Sequence, residues 1–274
     1  MFNRKKFKMN KWSIILIPYI IYLFLPIVLT LIGSFGEKWY GTLLPEGFTL
    51  KWYNELFKDT MFVSAMKNSL VVSFFTVLIS ILLTVPAVYG IYRLNNKIFK
   101  KFLDNIIIIP IAVPPLVMGL GLIQTFNRSF FSLVGSTELL VLAHVIYTLP
   151  FMIKPVMANL EMLEWNILND AADSLGVNSW FKIRRILIPN LAPGIFTGSL
   201  ITFAMSFGEF QLAVLLTGSA NQTYPVVLYQ AFYVNTGFAS TATVFLIVVT
   251  LFSLWSIMFL QKYFNKSSNF RELI

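Results

Sequence analysis

Long apolar runs separated by short charged segments dominate the chain. About 20 consecutive apolar residues cross a bilayer as a helix, and six runs qualify: roughly Trp12–Phe35, Val63–Tyr92, Phe102–Thr125, Leu139–Met157, Leu191–Thr217 and Ala239–Lys262. The pattern predicts an all-α integral membrane protein, with residues 1–274 forming one transmembrane domain. The second run is longer than a span needs, so it should tilt or begin at the interface. The first run follows "MFNRKKFKMNK", as a secretory signal would. It is too long for a signal core and no A-x-A-like site follows, so it reads as a retained span. Prolines and glycines punctuate the third run ("IPIAVPPLVMGLGL"), and Pro150 and Pro155 the fourth. Neighbouring helices or water must satisfy the freed backbone groups, which predicts a packed bundle around a cavity. No GxxxG pattern, internal repeat or low-complexity tract stands out.

The polar segments fix an expected orientation. With the N-terminus inside, the inner segments hold Arg4 to Lys11, Arg93 to Lys101, Lys154 with Lys182, Arg184 and Arg185, and Lys262 to Arg271. The outer segments hold only Lys38, Lys51, Lys58, Lys67 and Arg128. Basic residues collect on the cytoplasmic side, so both termini are expected inside. The outer segment after the first span contains "LLPEGFTLKWYNELF". Its Leu50, Trp52, Tyr53, Leu56 and Phe57 fit a short amphipathic helix at the outer interface.

Composition agrees with this class. Charged residues make up 12% of the chain and hydrophobic ones 57%, with a mean hydropathy of +0.74; a soluble domain has about 25% charged residues. The net charge of +9 is accounted for by cytoplasmic loops, and nucleic acid is not expected as a partner. There is no cysteine, which removes disulfides and thiolate metal sites.

Catalytic chemistry is thin. No G-x-x-x-x-G-K-[ST] phosphate loop is present, since "GSFGEK" fails its spacing, and no G-x-S-x-G elbow occurs. One histidine allows no multi-His metal site. Three ionisable residues fall in or near spans: Glu209 in the fifth, His144 in the fourth, and Asp104 at the inner end of the third. A charge at the bilayer centre costs at least ~2.5–3.5 kcal/mol and so faces a partner or a wet cavity. For Glu209 a hydrogen-bonded pair with a partner helix, a translocation path and an interfacial position all stay open. His144 fits a neutral histidine bonded inside the bundle, with the path as its alternative. Asp104 fits an interfacial residue near Lys100 and Lys101.

The inner segment 158–190 is too long for a structureless loop. Asn169 or Asp170 suits a helix N-cap, with Ala171, Ala172 and Leu175 as a small apolar face. Gly176 is placed to end that helix in a left-handed conformation. Asn178 or Ser179 would cap a second helix over Trp180–Leu187, stopped by Pro189. A short helix with so little bulk on one face lets another backbone approach closely, as a docking element requires; a plain interfacial helix pair is the alternative.

This stretch resembles the E-A-A-x3-G-x9-I-x-L-P signature of permease subunits of binding-protein-dependent ABC importers. It reads Asp170-Ala171-Ala172, three residues, Gly176, nine residues, Ile186-Leu187-Ile188-Pro189, with Asp for Glu and Ile for Leu. The resemblance implies a six-span permease in a bacterial cytoplasmic membrane, paired with a second permease subunit. Two cytoplasmic ATPase subunits would bind the ATP and Mg, and an outside solute-binding protein would deliver the substrate. No cofactor or catalytic activity of its own is implied. Asp170, Ala171, Ala172, Gly176, Ile186 and Pro189 would then form the ATPase-coupling loop. "FGEKWYGTLLPEGFTLKWYNEL" and "FGEFQLAVLLTG" are similar to the branch that imports polyamines, iron(III) or aminoethylphosphonate. The alternatives are an ion- or proton-coupled secondary transporter, which would draw on Glu209 and His144, and an intramembrane enzyme.

Overall fold

The computed structural model describes residues 11–39, 42–93, 105, 107–128, 131–163 and 165–269. Asp104, residues 4–8 and residues 94–103 lie outside them. The described chain is mostly helical, and five of its helices are long and apolar enough to cross a membrane.

One compact unit comprises residues 1–60 and 228–247. Its first helix, α1 (Lys11–Gly33), turns Ile15, Leu16, Tyr22 and Leu23 outward, as a helix solvated by lipid does. The turn after it is built for one side chain. Trp52 of α2 (Lys51–Lys58) is buried, donates Nε1–H to the carbonyl of Gly36 at 2.8 Å, and meets Phe238 edge-on. The Tyr53 hydroxyl pairs with Ser34 Oγ at 2.8 Å, and Thr241 Oγ1 donates to the Ser34 carbonyl at 3.0 Å. The amphipathic helix expected here therefore forms, but Trp52 and Leu56 are buried within the protein, while Phe57 stays exposed.

The other unit comprises residues 61–227 and 248–274. The long helix α3 (Thr60–Arg93) covers the second apolar run. The third run is not one helix. Residues 107–112 are helical, the chain breaks at Val113 and Pro114, and α4 (Pro115–Phe126) follows. Pro115 sits at the helix start, where a missing N–H is harmless, and Pro114 before it is held extended. After α4 comes a short ladder, β1 (Asn127–Arg128) against β2 (Phe131–Ser132), antiparallel, in a chain expected to be entirely helical. Then α5 (Thr137–Met162) starts at Ser136, whose hydroxyl accepts the Leu139 N–H at 3.2 Å.

The fourth and fifth apolar runs meet closely. α5 packs against α8 (Ile188–Phe207), where Gly194 and Gly198 face it. A Cβ on Gly198 would lie 3.1 Å from the Met152 backbone, and one on Gly194 would lie 2.8 Å from the Pro155 carbonyl. Gly194 and Gly198 form a GxxxG pattern after all, and it lets the two backbones touch. Two apolar clusters flank this seam. One holds Val72, Leu139, Leu140, Ala143, Leu212 and Leu216; the other holds Val88, Met152, Val156, Trp165, Leu187 and Leu191.

α3 contributes an unusual face to this interior. Ser69, Ser73, Thr76, Ser80 and Thr84 recur every three or four residues, share one face and are buried. Ser69 Oγ accepts the Tyr224 N–H at 2.8 Å, whereas the other four hydroxyls have no hydrogen-bond partner among the described residues. Several other helical hydroxyls bond the carbonyl four residues back, as Thr125, Thr148 and Thr197 do.

The fifth run also breaks. α8 ends at Phe207, and a separate short helix, α9 (Gln211–Leu216), follows Gly208–Phe210. The remaining helices are α10 (Tyr224–Phe232) and α11 (Thr236–Asn269), the latter covering the sixth run.

Candidate functional site

Two polar sites lie at opposite ends of the continuous helix Ser179–Phe207, about 40 Å apart at 1.5 Å per residue. The first is the segment carrying the Asp-Ala-Ala…Gly pattern. Its first helix, α6 (Trp165–Ser174), begins a turn earlier than the caps at Asn169 or Asp170 would place it. The cause is Trp165, which is buried in the cluster with Leu187 and Leu191 and stands edge-on to Tyr89 at 6.1 Å. That burial extends the helix upstream and releases Asn169 from capping.

The helix ends as its glycine requires. Gly176 has φ +69°, the Gly176 N–H reaches the Asp173 carbonyl at 2.9 Å, and the Val177 N–H reaches the Ala172 carbonyl at 3.0 Å. This is a Schellman closure with glycine at the left-handed position. Asn178 then accepts the Phe181 N–H at 2.8 Å and opens α7 (Ser179–Lys182). The small face is split. Ala172 turns inward and is buried, whereas Asp170, Ala171, Leu175 and Gly176 are exposed. Positions 171 and 175 share a side of the helix, and 172 is a step round it.

Pro189 does not stop the second helix. Residues Ile183–Leu187 form a π-helical turn, with the Ile188 N–H donating to the Ile183 carbonyl, and the helix runs on through Pro189. The wider turn accommodates a proline ring that would clash in a regular helix. Asn190 Nδ2 donates to the Ile186 carbonyl at 2.7 Å. Ile186 is half-buried against the apolar cluster, and Pro189 is exposed.

The sequence reading missed Lys182, which is buried. Its ammonium bonds the Asp173 carboxylate and reaches Asn169 Oδ1 at 3.0 Å, while Asn169 Nδ2 donates to Asp173 Oδ2 at 3.0 Å. Sequence spacing does not reveal this triad, because it exists only once the Gly176 turn folds α7 back on α6.

The second site is the break after α8. Glu209 and His144, on separate spans, are brought together here. His144 Nδ1 and Ser206 Oγ are 2.8 Å apart, and His144 Nε2 lies 3.6 Å from Glu209 Oε2. Glu209 is a helix cap. Its oxygens accept the Leu212 N–H at 2.9 and 3.0 Å and the Ala213 N–H at 3.1 Å. A helix start in an apolar environment exposes N–H groups with no partner, and a carboxylate beside them satisfies two. Glu209 therefore sits between two helices, not within one. Among the described residues no group of three or more His, Cys, Asp or Glu side chains could hold a metal ion.

Comparison with known proteins places these features in a wider set. Residues 86–269 match the family described as binding-protein-dependent transport system inner membrane component. The putative 2-aminoethylphosphonate transport system permease protein PhnV of Salmonella typhimurium is 26% identical over 234 residues, covering 85% of this chain and 87% of the relative. The spermidine/putrescine transport system permease protein PotC of Escherichia coli K12 is 25% identical over 213 residues, covering 76% and 77%. Among solved structures, a bacterial ABC transporter involved in the import of alginate superposes with a TM-score of 0.74 at 17% identity, over 92% of this chain and 95% of that one. The MetNI methionine ABC transporter, in an inward-facing conformation, gives 0.61 at 16% identity, over 79% and 99%. Both structural likenesses speak to the fold.

Proposed function

Because this chain belongs to the family of binding-protein-dependent transport system inner membrane components, we propose that it is the membrane-spanning permease subunit of an ATP-driven importer in a bacterial inner membrane. In this reading it crosses the membrane six times with both termini inside, the third crossing being made jointly by residues 107–112 and α4. A second permease subunit completes the translocation path. An outside solute-binding protein delivers the cargo, and two cytoplasmic ATPase subunits bind ATP and Mg, which this chain does not hold.

The observation that carries the proposal is the α6–Gly176–α7 element. It exposes Asp170, Ala171 and Gly176 on a rigid, closed turn, and α7 continues without interruption into the fifth span. A protein seated on that turn gains a grip on α8. Closure of the two ATPases would move the element as a lever, and the helix would pass the motion on to the membrane. Ile186 lies in the π turn that joins lever and span, and Pro189 follows it at the start of α8. Glu209 and His144 serve the break after α8, where their hydrogen bonds go to the protein's own groups. This supports an anchoring role over a path for ions, and so weighs against a secondary transporter.

The cargo is a small polar solute. The compounds that relatives are named for, 2-aminoethylphosphonate, spermidine and putrescine, all carry an aliphatic ammonium group, which makes an amine-bearing solute the first class to test and iron(III) the second. The test is reconstitution into vesicles. The chain alone should hydrolyse no ATP. With its ATPase partner and binding protein it should take up labelled 2-aminoethylphosphonate or spermidine only when ATP is supplied. Hydrolysis by the chain alone, or uptake driven by a proton gradient without ATP, would overturn the proposal.

A further inference from the structure

We propose that Lys182 is the positioning residue of the coupling element: it ties α6 to the helix that enters the membrane, so that the two move as one body. The inference rests on the reading of the exposed turn at Asp170–Gly176 as the ATPase contact and adds to it the part that transmits force. α6 has ten residues, too few to hold its shape alone in water. Its N-terminal end is fixed by buried Trp165. Its C-terminal end, next to the exposed Gly176, would be held by the backbone bonds of the turn and the burial of the small Ala172 if Lys182 were absent.

The geometry is that of a clamp. Lys182 lies at the end of α7, directly before the π turn, and only 5% of it is exposed. A buried ammonium requires partners. Both of its partners, Asp173 and Asn169, are on α6, one helical turn apart, and are bonded to each other. Each bond from Lys182 thus crosses the Gly176 turn. Arg184 and Arg185, next in the chain, are exposed, whereas Lys182 is buried. The exposed end of Asp173 stays wet, which lets the pair form without stranding a charge. A push on Asp170 or Ala171 then reaches Lys182 through the triad and α8 through the unbroken helix.

The chain has no cysteine, so nitroxide labels at Leu175→Cys and Thr197→Cys, both exposed positions, report the α6–α8 distance in the full chain in nanodiscs. The intact clamp should give one narrow distance distribution. Lys182→Met should broaden it, and Lys182→Arg, which keeps the charge and the reach, should restore it. In unlabelled complexes with the ATPase partner, Lys182→Met should leave the amount of bound ATPase unchanged. The stimulation of ATP hydrolysis by loaded binding protein should fall at least about tenfold, the effect of losing even one of the two charged hydrogen bonds. A narrow distribution in Lys182→Met, or unchanged stimulation despite a broad one, would overturn the clamp. Failure of the unsubstituted chain to bind the ATPase at all would overturn the reading beneath it.

Discussion

Replacing Glu209 separates an anchor from a transport residue. Its carboxylate accepts the N–H groups of Leu212 and Ala213 at 2.9–3.1 Å, and both residues are buried. Glu209→Ala leaves both donors without a partner. Each buried orphan costs about 1–3 kcal/mol, so the variant should lose roughly 2–6 kcal/mol. Against a total stability of about 5–15 kcal/mol that is a large fraction, and the break between α8 and α9 should be the first region to open. Glu209→Gln keeps one carbonyl oxygen aimed at the helix start and should lose about half as much. The assay is thermal unfolding in detergent, followed by tryptophan fluorescence, together with hydrogen exchange at residues 208–216. The anchor account requires stability to fall in the order wild type, Gln, Ala, with uptake falling in parallel. A Glu209→Gln protein of native stability that transports nothing would refute this reasoning and return the charge to a translocation path.

Further substitutions test other contacts. Gly198→Val would drive a side chain into Met152, whose backbone is 3.1 Å from the new Cβ, and should cost about 1–3 kcal/mol; Gly121→Ala, with nothing within 4 Å of its Cβ, should melt close to wild type. Gly176→Val meets open space but must adopt φ +69°, so it should insert normally while transport falls. Gly176→Asn should retain more activity, because asparagine tolerates that conformation. Thr76→Val removes a buried hydroxyl with no partner among the described residues and should raise stability by about 1 kcal/mol, whereas Thr148→Val breaks a 2.7 Å bond to the His144 carbonyl and should lower it.

Much of the helical architecture was legible because lipid imposes a simple pattern: long apolar runs become helices, and caps such as Asn178 and the left-handed Gly176 follow from local chemistry. The failures have a common physical cause. Hydropathy sees apolar length and is blind to breaks inside it, so Pro114 and Gly208 were read through as continuous spans. Propensity rules stop a helix at proline, but a π turn at Ile183–Leu187 absorbs Pro189. The start of α6 was set by the distant burial of Trp165 against Tyr89, which outweighs any local cap. Lys182, counted only as one of the inner cations, is defined by a fold-back that no short motif encodes. The Gly194–Gly198 spacing is the one signal in the sequence that locates the α5–α8 contact.

The central claim is that the exposed turn at Ala171–Gly176 seats the ATPase. A single cysteine placed at Ala171, in a chain that otherwise has none, tests it by thiol cross-linking in membranes that also contain the ATPase partner carrying cysteines around its surface cleft. The control is a cysteine at Leu43, which is 75% exposed and lies on the expected outer side. The account predicts a cross-linked permease–ATPase species from position 171, changed in yield by ATP, and none from position 43. A cross-link from position 43, or an assembled complex in which position 171 never links, would contradict it.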